Sequence, residues 1–591
     1  MGKISYKALL VYITIVYILS NISTILVTSK FIEPNSIIDY IYITRYINIE
    51  FLFCVLVLLI IFKFTKSKII PLIISYFYVI TTFSQTVSYL KGNDYITKLA
   101  ISNTKHVDVL LGTREMIFIF LFILFLLIPV FFKKNIKVKI SNIFISTILV
   151  ILFFFILLPR FDSNFIRYYQ KVQQATQISK LSPIFELYNL SKSYIIIKDI
   201  DTSSKDLIKP IPVSMNDFSL NIHRQKKLNV IVFFVEGTSA RLLNTYGGKY
   251  SNLTPNIDRF AQNSIKINNY FNHTAATYRG IHGQLCSIYP KFGGVGGWGD
   301  KTKRAEIINS KSSYTCLPEI LDNRGYETVY FNPHFVNSSY FPALAQKVGF
   351  QTIFSAEDSS EKFLNGSQGF NNEGLTDNQQ FKAIEDYLKD RKSVKPLFLS
   401  AYTLETHAWV DVSKDGIKYG DGSNHTLNTL HNLDYAFGDF VNYIESSKYK
   451  NNTIIVLTAD HAHYYEDSYI ELMDKSYKKY FVDRIPLIIH YPNQDEGIVF
   501  DANSATSIDF APSIIQLADI ETKAKFIGRS IFDKDKDKDK TRLNISAIGT
   551  DPIDTFIILN GEIYRNKFSN EYKKELEKAA SIVNNMRKNE L

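Results

Sequence analysis

TIIVLTADH, Thr453 to His461, is the stretch on which the reading of the fold turns. Its first five residues, Thr453 to Leu457, are β-branched or aliphatic, the pattern of a parallel strand buried on both faces. The chain then delivers Asp460 and His461 at the C-terminal end of that strand, where open α/β sheets place their chemistry. A carboxylate beside an imidazole offers one oxygen and one nitrogen to a divalent cation of the zinc or manganese type. The remaining ligands must come from other parts of the chain.

Working outward, NVIVFFVEGTSA (Asn229 to Ala240) repeats the arrangement: an apolar run, Val230 to Val235, brings Glu236 to the same sheet edge. An acid at a helix N-terminus is an equal reading of Glu236. YFNHTAATYRGIHGQLCSIYP (Tyr270 to Pro290) is dense in small, hydroxyl and imidazole groups ahead of a predicted helix. The field at a helix N-terminus favours both an alkoxide and a bound phosphate, which makes Thr277 a candidate nucleophile and Arg279 a candidate phosphate-orienting cation. Thr274 is the rival nucleophile, and helix capping accounts for either threonine. PLFLSAYTLETHAWVD supplies a further buried strand, Leu397 to Tyr402, followed by Glu405, His407 and Trp409. TPNIDRFAQNS opens a helix with Pro255 near its first position and Thr254 available as a cap. Strand and helix patterns alternate through to PLIIHYP and SIDFAPSIIQLADI, and TFIILNGEIYRN predicts an antiparallel hairpin turned at Asn560 and Gly561. The expectation is an α/β domain with a mostly parallel central sheet between helices.

At 591 residues the chain is too long for one core. Five apolar segments precede the α/β part: Ala8 to Thr28, Ile47 to Phe62, Ile69 to Leu90, Met116 to Phe132 and Ile140 to Leu158. Each approaches the length that crosses a hydrocarbon core of about 30 Å. Lys3 and Lys7, then Lys63, Lys66 and Lys68, then Lys133, Lys134, Lys137 and Lys139 fall on one side, which the positive-inside rule makes cytoplasmic. The expected organisation is a transmembrane domain over 1–160, a helical juxtamembrane connector over 161–227 and an exported domain over 228–591. The net charge of +10 resides largely in membrane-flanking lysines and in runs that follow no helix face, so no nucleic-acid partner is expected. Of three cysteines, Cys286 and Cys316 share the exported part, where they form either one disulfide or two unrelated buried thiols.

These residues together resemble the membrane-anchored branch of the alkaline phosphatase and sulfatase superfamily, which holds the lipoteichoic acid synthases and the phosphoethanolamine transferases. The matching motifs are NVIVFFVEGTSA, TPNIDRFA, the threonine about forty residues after Glu236, NNEGLTDNQQF, HNLDYAFGDF, NTIIVLTADH, PLIIHYP and IDFAPSIIQLADI followed by IGRS. The resemblance implies one divalent metal ion, Mn or Zn with Mg possible, held by Glu236, Thr277, Asp460 and His461, with Thr277 also the nucleophile. It implies that His407 contacts the phosphoryl group or its leaving oxygen. It further implies a phospholipid donor, phosphatidylglycerol or phosphatidylethanolamine, an envelope glycan as acceptor, and a phosphothreonine intermediate. The location implied is the bacterial cytoplasmic (inner) membrane, multi-pass, with the catalytic domain on the periplasmic or extracellular side.

The departures narrow the substrate. No Trp and Arg pair of the kind that holds glycerol phosphate appears around Asn337 to Ala345, which argues against a long polyglycerolphosphate product. The cysteine-rich nucleophile region of lipid A phosphoethanolamine transferases is missing as well. Thr277 cannot become formylglycine, which argues against sulfate ester hydrolysis. Two alternatives stand beside the transferase: a metal-dependent phosphodiesterase or phosphatase of the same fold, and a non-catalytic envelope binding protein.

Overall fold

The structure is a computed structural model that describes residues 6–34, 36–64, 69–96, 142–161, 168–169, 172, 176, 178, 180–195, 210–290, 314–336, 341–366, 374–474, 477–494, 496–534, 543–548, 555–565 and 572–588. The chain divides into two compact units, Met1–Asp199 with Tyr465–Tyr480, and Ile200–Tyr464 with Phe481–Leu591.

In the first unit, α1 (Tyr6–Phe31), α2 (Ile37–Phe64) and α3 (Ile69–Gly92) contain three stretches long and apolar enough to cross a bilayer. A further helix, α4 (Asn142–Phe161), carries a shorter apolar stretch, Ile145–Leu157. The expected span Met116 to Phe132 lies outside the described residues. Helix α2 starts ten residues before the expected Ile47, because Ser36 and Asp39 cap it reciprocally: Ser36 N–H donates to Asp39 Oδ2 at 3.1 Å and Asp39 N–H to Ser36 Oγ at 3.3 Å. The charge this extension brings in is used locally. Pro159 lacks the N–H that would bond the Phe155 carbonyl four residues back, and Arg45 Nε donates to that oxygen at 2.6 Å instead. Glu50 accepts the backbone N–H groups of Ile184 and Phe185, both at 3.1 Å, at the start of α5 (Pro183–Ile195). The acid that interrupts the second apolar segment thus anchors α5.

Tyr465–Tyr480 belongs to this unit although the flanking sequence does not. Asn93 holds it, donating from Nδ2 to the Tyr465 carbonyl at 3.2 Å and to Asp467 Oδ1 at 2.9 Å. Lys30 pairs with the same Asp467 oxygen at 2.5 Å. The buried Lys479 ammonium donates to the Asn93 carbonyl and stands 5.0 Å from the centre of the Phe31 ring.

The second unit is built on strands β1 (Asn229–Val235), β2 (Ile265–Asn268), β3 (Glu327–Phe331), β4 (Thr352–Phe354), β5 (Leu397–Tyr402), β6 (Thr453–Ala459), β7 (Leu487–His490) and β8 (Ile498–Asp501). They form one sheet in the order β4-β3-β5-β1-β6-β7-β2-β8. All pairings are parallel except those of β7, which runs antiparallel to both β6 and β2. Every residue of β1, β5 and β6 is buried, as the continuous apolar runs require of central strands covered on both faces. Alternation in β1 shows the two layers. Phe233 packs against Phe381 of α8 and Phe440 of α9 at 4.8 and 4.9 Å, where α8 is Asp377–Asp390 and α9 His425–Ser446; Phe234 packs the other way, 5.6 Å from Phe510 of α10 (Phe510–Leu517).

Three further helices that bear on the site and its surroundings are α6 (Pro255–Gln262), α7 (Thr277–Cys286) and α11 (Lys573–Lys588). Helix α6 has Pro255 at its start, but Thr254 makes no side-chain cap. Asp434 of α9 caps it from outside, accepting Ile257 N–H at 2.7 Å and Asn256 N–H at 3.0 Å. The closing hairpin is one edge of a three-stranded antiparallel sheet, β9 (Asn544–Ala547), β10 (Thr555–Leu559) and β11 (Glu562–Arg565). It turns at Asn560 and Gly561, both with positive φ, 51° and 80°. Cys286 and Cys316 are joined in a disulfide.

Candidate active site

Strand register brings the first two acids together. Val235 of β1 pairs with Ala459 of β6, so the next residues, Glu236 and Asp460, leave the sheet side by side at its C-terminal edge. Ligand atoms of Glu236, Asp460 and His461 all lie within 4.8 Å of one another. Helix α7 completes the cluster. Thr277 Oγ1 donates to Glu236 Oε2 at 2.8 Å and lies 3.5 Å from His461 Nε2. His461 Nε2 is itself 3.5 Å from Glu236 Oε1 and 3.3 Å from Asp460 Oδ2.

The donor set fits a divalent cation. Asp460 Oδ1 accepts Gly237 N–H at 2.8 Å and His461 N–H at 2.7 Å, which leaves Oδ2 buried with no hydrogen-bond partner. His461 Nδ1 faces the Ala462 carbonyl at 2.8 Å; a carbonyl only accepts, so the proton sits on Nδ1 and the Nε2 lone pair points at the acids. Burial pushes the Glu236 carboxyl well above its usual range, and the charge of Asp460 adds to it. Burial also holds the His461 imidazole below its ordinary value, in the neutral form that ligates metals. Two buried acids that repel each other around an orphaned oxygen make a site that a bound cation relieves.

The two threonines separate cleanly. Thr277 is the first residue of α7 and its hydroxyl is spent on Glu236 rather than on a cap. Thr274 is fully buried and donates to the Ala547 carbonyl at 2.8 Å, so it ties the preceding loop to β9. His407 is exposed, with Nδ1 turned to the Ala408 carbonyl at 2.9 Å, and it is near enough to His461 that its charge depresses the latter's pKa.

Arg279 departs from the expectation that it orients a phosphate. It is fully buried, its Nε donates to the Ala275 carbonyl at 2.6 Å, and its Nη groups have no acceptor among the described residues. Burial, then the charge of Arg587, lowers its pKa to about 9. The reason is helical geometry: residues two apart on a helix point to different faces, so Arg279 turns away from the side that carries Thr277.

The sulfatase family model matches residues 228–520, the stretch that contains all four clustered side chains. Residues 228–520 form a domain of the sulfatase and alkaline phosphatase superfamily. Within this superfamily of metal-dependent enzymes, the lipoteichoic acid synthase of Staphylococcus aureus is 25% identical over 279 residues, which cover 44% of this chain and 41% of that protein. Among solved structures, the lipooligosaccharide phosphoethanolamine transferase A of Neisseria meningitidis, an integral membrane protein, is similar over 86% of this chain and 95% of its own, with TM-score 0.50 and 13% identity. The lipoteichoic acid synthase of Listeria monocytogenes covers 65% of this chain and 95% or more of its own length (96%), with TM-score 0.48 and 15% identity.

Several residues that brace this superfamily site escaped the reading of motifs. Gly280 lies one helical turn from Thr277, where α7 touches the Asp460 backbone. Gln284, one further turn on, donates from Nε2 to the carbonyls of Ala459 and Asp460 at 3.0 and 3.2 Å. The only signal in the sequence is the spacing 277, 280, 284 of one helix face. The turn after β5 grips Glu236 from the other side: Thr403 Oγ1 accepts Glu236 N–H at 3.0 Å and Thr406 Oγ1 donates to its carbonyl at 2.6 Å. Buried Asp377 in turn holds that turn, accepting Leu404 N–H at 2.8 Å and Glu405 N–H at 3.2 Å. Burial, and then the charge of Glu405, raises the Asp377 pKa.

Proposed function

We propose that the chain is a membrane-held, metal-dependent transferase that moves the phosphoglycerol or phosphoethanolamine head group of a phospholipid to a cell-envelope glycan through a phosphothreonine at Thr277. The observation that carries the reading is the Thr277 hydroxyl at the N-terminus of α7, bonded to Glu236 at 2.8 Å inside a triad of buried ligands. Glu236, Thr277, Asp460 and His461 would hold the ion, Mn or Zn with Mg as a further candidate. Such an ion, when bound, lowers the pKa of the threonine hydroxyl and offsets charge on the phosphoryl oxygens.

The chain's own groups do the rest. The Thr277 proton already points at Glu236 Oε2. As Thr277 Oγ1 bonds to phosphorus and gives its proton to Glu236, the bond from phosphorus to the diacylglycerol oxygen breaks, and that oxygen takes a proton from Nε2 of His407 in its imidazolium form, whose Nδ1–H the Ala408 carbonyl holds. The acceptor hydroxyl then returns a proton to the site as its oxygen bonds to phosphorus and the bond to Thr277 Oγ1 breaks. A second observation bears on location. The Cys286–Cys316 disulfide supports a catalytic domain outside the reducing cytoplasm, as the lysine pattern of a multi-pass anchor also implies.

In detergent with phosphatidylglycerol or phosphatidylethanolamine, the wild-type chain is expected to release diacylglycerol, Thr277→Ala to abolish release, and Thr277→Ser to keep part of it. Undiminished release by Thr277→Ala removes the covalent step. Metal analysis is the companion measurement: a wild-type chain that retains no tightly held ion supports the binding-protein alternative instead.

A further inference from the structure

Beside the metal ligands, the second unit carries a staircase of aromatic rings that the mechanism does not use. His461 touches Phe481 edge to face, with ring centres 5.2 Å apart; Phe481 touches Tyr464 at 5.1 Å; Tyr464 touches Trp409 at 5.2 Å. Exposure rises along it. Phe481 is 8% exposed, Tyr464 half-buried and Trp409 52% exposed. The last ring therefore presents an open indole face no more than three ring-to-ring steps from the imidazole that faces the acids.

Backbone conformation marks the same rings. Trp409 has φ 66° and Phe481 φ 58°, the left-handed region that bulky residues avoid. Both are members of one four-ring chain that ends on a metal ligand. Strain kept at such positions is a mark of a group placed for use.

The surroundings of Trp409 indicate what stacks there. Two residues before it stands exposed His407, and two after it Asp411, which accepts from Asn428 Nδ2 at 3.0 Å and pairs with Lys418 at 3.2 Å. The loop onward from Asp411 also carries Lys414, Asp415 and Asp421. A lone exposed indole set among charges is unlike an aromatic residue seated in a lipid interface, which works as part of a belt against apolar neighbours. It suits a ring with an apolar face and a polar rim, which is the shape of a pyranose: C–H groups above and below, hydroxyls around the edge.

We infer that Trp409, supported by Tyr464 and Phe481, is the acceptor-sugar subsite, on which a pyranose unit of the glycan stacks while a neighbouring hydroxyl enters the metal centre. The inference rests on the transferase reading given above and names its acceptor class as a pyranose-containing glycan. Trp409 is a binding residue and takes no part in cleaving the donor.

The test uses the full chain in detergent, phosphatidylglycerol as donor and delipidated envelope polysaccharide of the producing cells as acceptor. Trp409→Ala is expected to keep diacylglycerol release to water while glycan-borne product falls about tenfold or more, the size of effect that loss of one stacked ring gives. Trp409→Phe, which keeps an aromatic face, restores most of the product. Unchanged product in Trp409→Ala overturns the subsite, and so does an equal loss of donor release and product. A wild-type chain that releases diacylglycerol but forms no product defeats the transferase reading rather than the subsite. A second measurement then decides the subsite alone. The chain has two tryptophans, so Trp298→Phe leaves Trp409 as the sole tryptophan, excited selectively above the tyrosine band; the polysaccharide must shift its emission saturably. A response to phosphatidylglycerol vesicles with none to polysaccharide makes Trp409 a lipid contact and overturns the proposal.

Discussion

A methyl group at Gly280 would stand against the carbonyl oxygen and carbon of Asp460, well inside van der Waals contact. Neither partner can step aside, because the clash is with backbone and not with the end of a flexible side chain. Gly280 shares a helix face with Thr277, so relieving the clash moves the Thr277 hydroxyl away from Glu236 and His461. Gly280→Ala is therefore expected to cost about 1–3 kcal/mol of stability and to lower turnover about a hundredfold, since roughly an ångström of misplacement has that effect on an aligned site. Melting temperature and diacylglycerol release measured on the same preparation check it, and a variant with wild-type turnover would show that α7 is not held in register by this contact. The same scale explains what was legible. Glu236, Thr277, Asp460 and His461 stand out because each follows a strand or opens a helix. Thr274 and Thr277 look alike as letters; only the partner of each hydroxyl, the Ala547 carbonyl or the Glu236 carboxylate, tells them apart.

Among the elements, α7 is pinned at both ends. Its first residue joins the cluster of Glu236, Asp460 and His461, and its last, Cys286, is bonded to Cys316 thirty residues on. The cross-link closes a loop whose entropy the unfolded chain loses, worth about 3–4 kcal/mol for that length. A reductant is accordingly expected to lower the melting temperature of the wild-type chain and to have no effect on a Cys286→Ala, Cys316→Ala double variant, which should melt at the lower temperature throughout. Equal melting of wild type with and without reductant would mean that the bond does not support the native state. From the residues alone the pair reads equally as two buried thiols, because nothing in the spacing shows that Cys316 lies against the end of α7. Strands were easier. The runs in β1, β5 and β6 are apolar without a break, the mark of burial on two faces. Antiparallel β7 was not legible as such, since a four-residue apolar strand carries no sign of its direction. Tyr465–Tyr480 gave no hint that it would join the unit of the apolar helices, since the side chains that hold it, Lys30 and Asn93, lie more than three hundred positions earlier.

For the whole molecule, the consequence of the site is that parts of the chain more than two hundred residues apart meet at one point: Glu236 from β1, Thr277 from α7, Asp460 and His461 from β6. An ion gripped there cross-links the centre of the sheet to the helix that covers it, and it binds only the folded chain. At a hundredfold excess over its dissociation constant such a ligand adds about 2.7 kcal/mol to stability. Without it, two buried carboxylates face each other, and the raised Glu236 pKa records the cost. Asp460→Asn keeps the oxygen that accepts from Gly237 and His461 while removing one of the two charges. The two proteins should therefore cross over. After chelation the variant is expected to melt at or above the wild type, because the repulsion is gone; with Mn or Zn added the wild type should rise and the variant should stay where it was. Calorimetry of both proteins with chelator and with each metal reads the four values directly. A wild type that gains nothing from either metal, or a variant that gains as much, would mean that these ligands do not close on an ion, and the chemistry assigned to Thr277 would lose its basis.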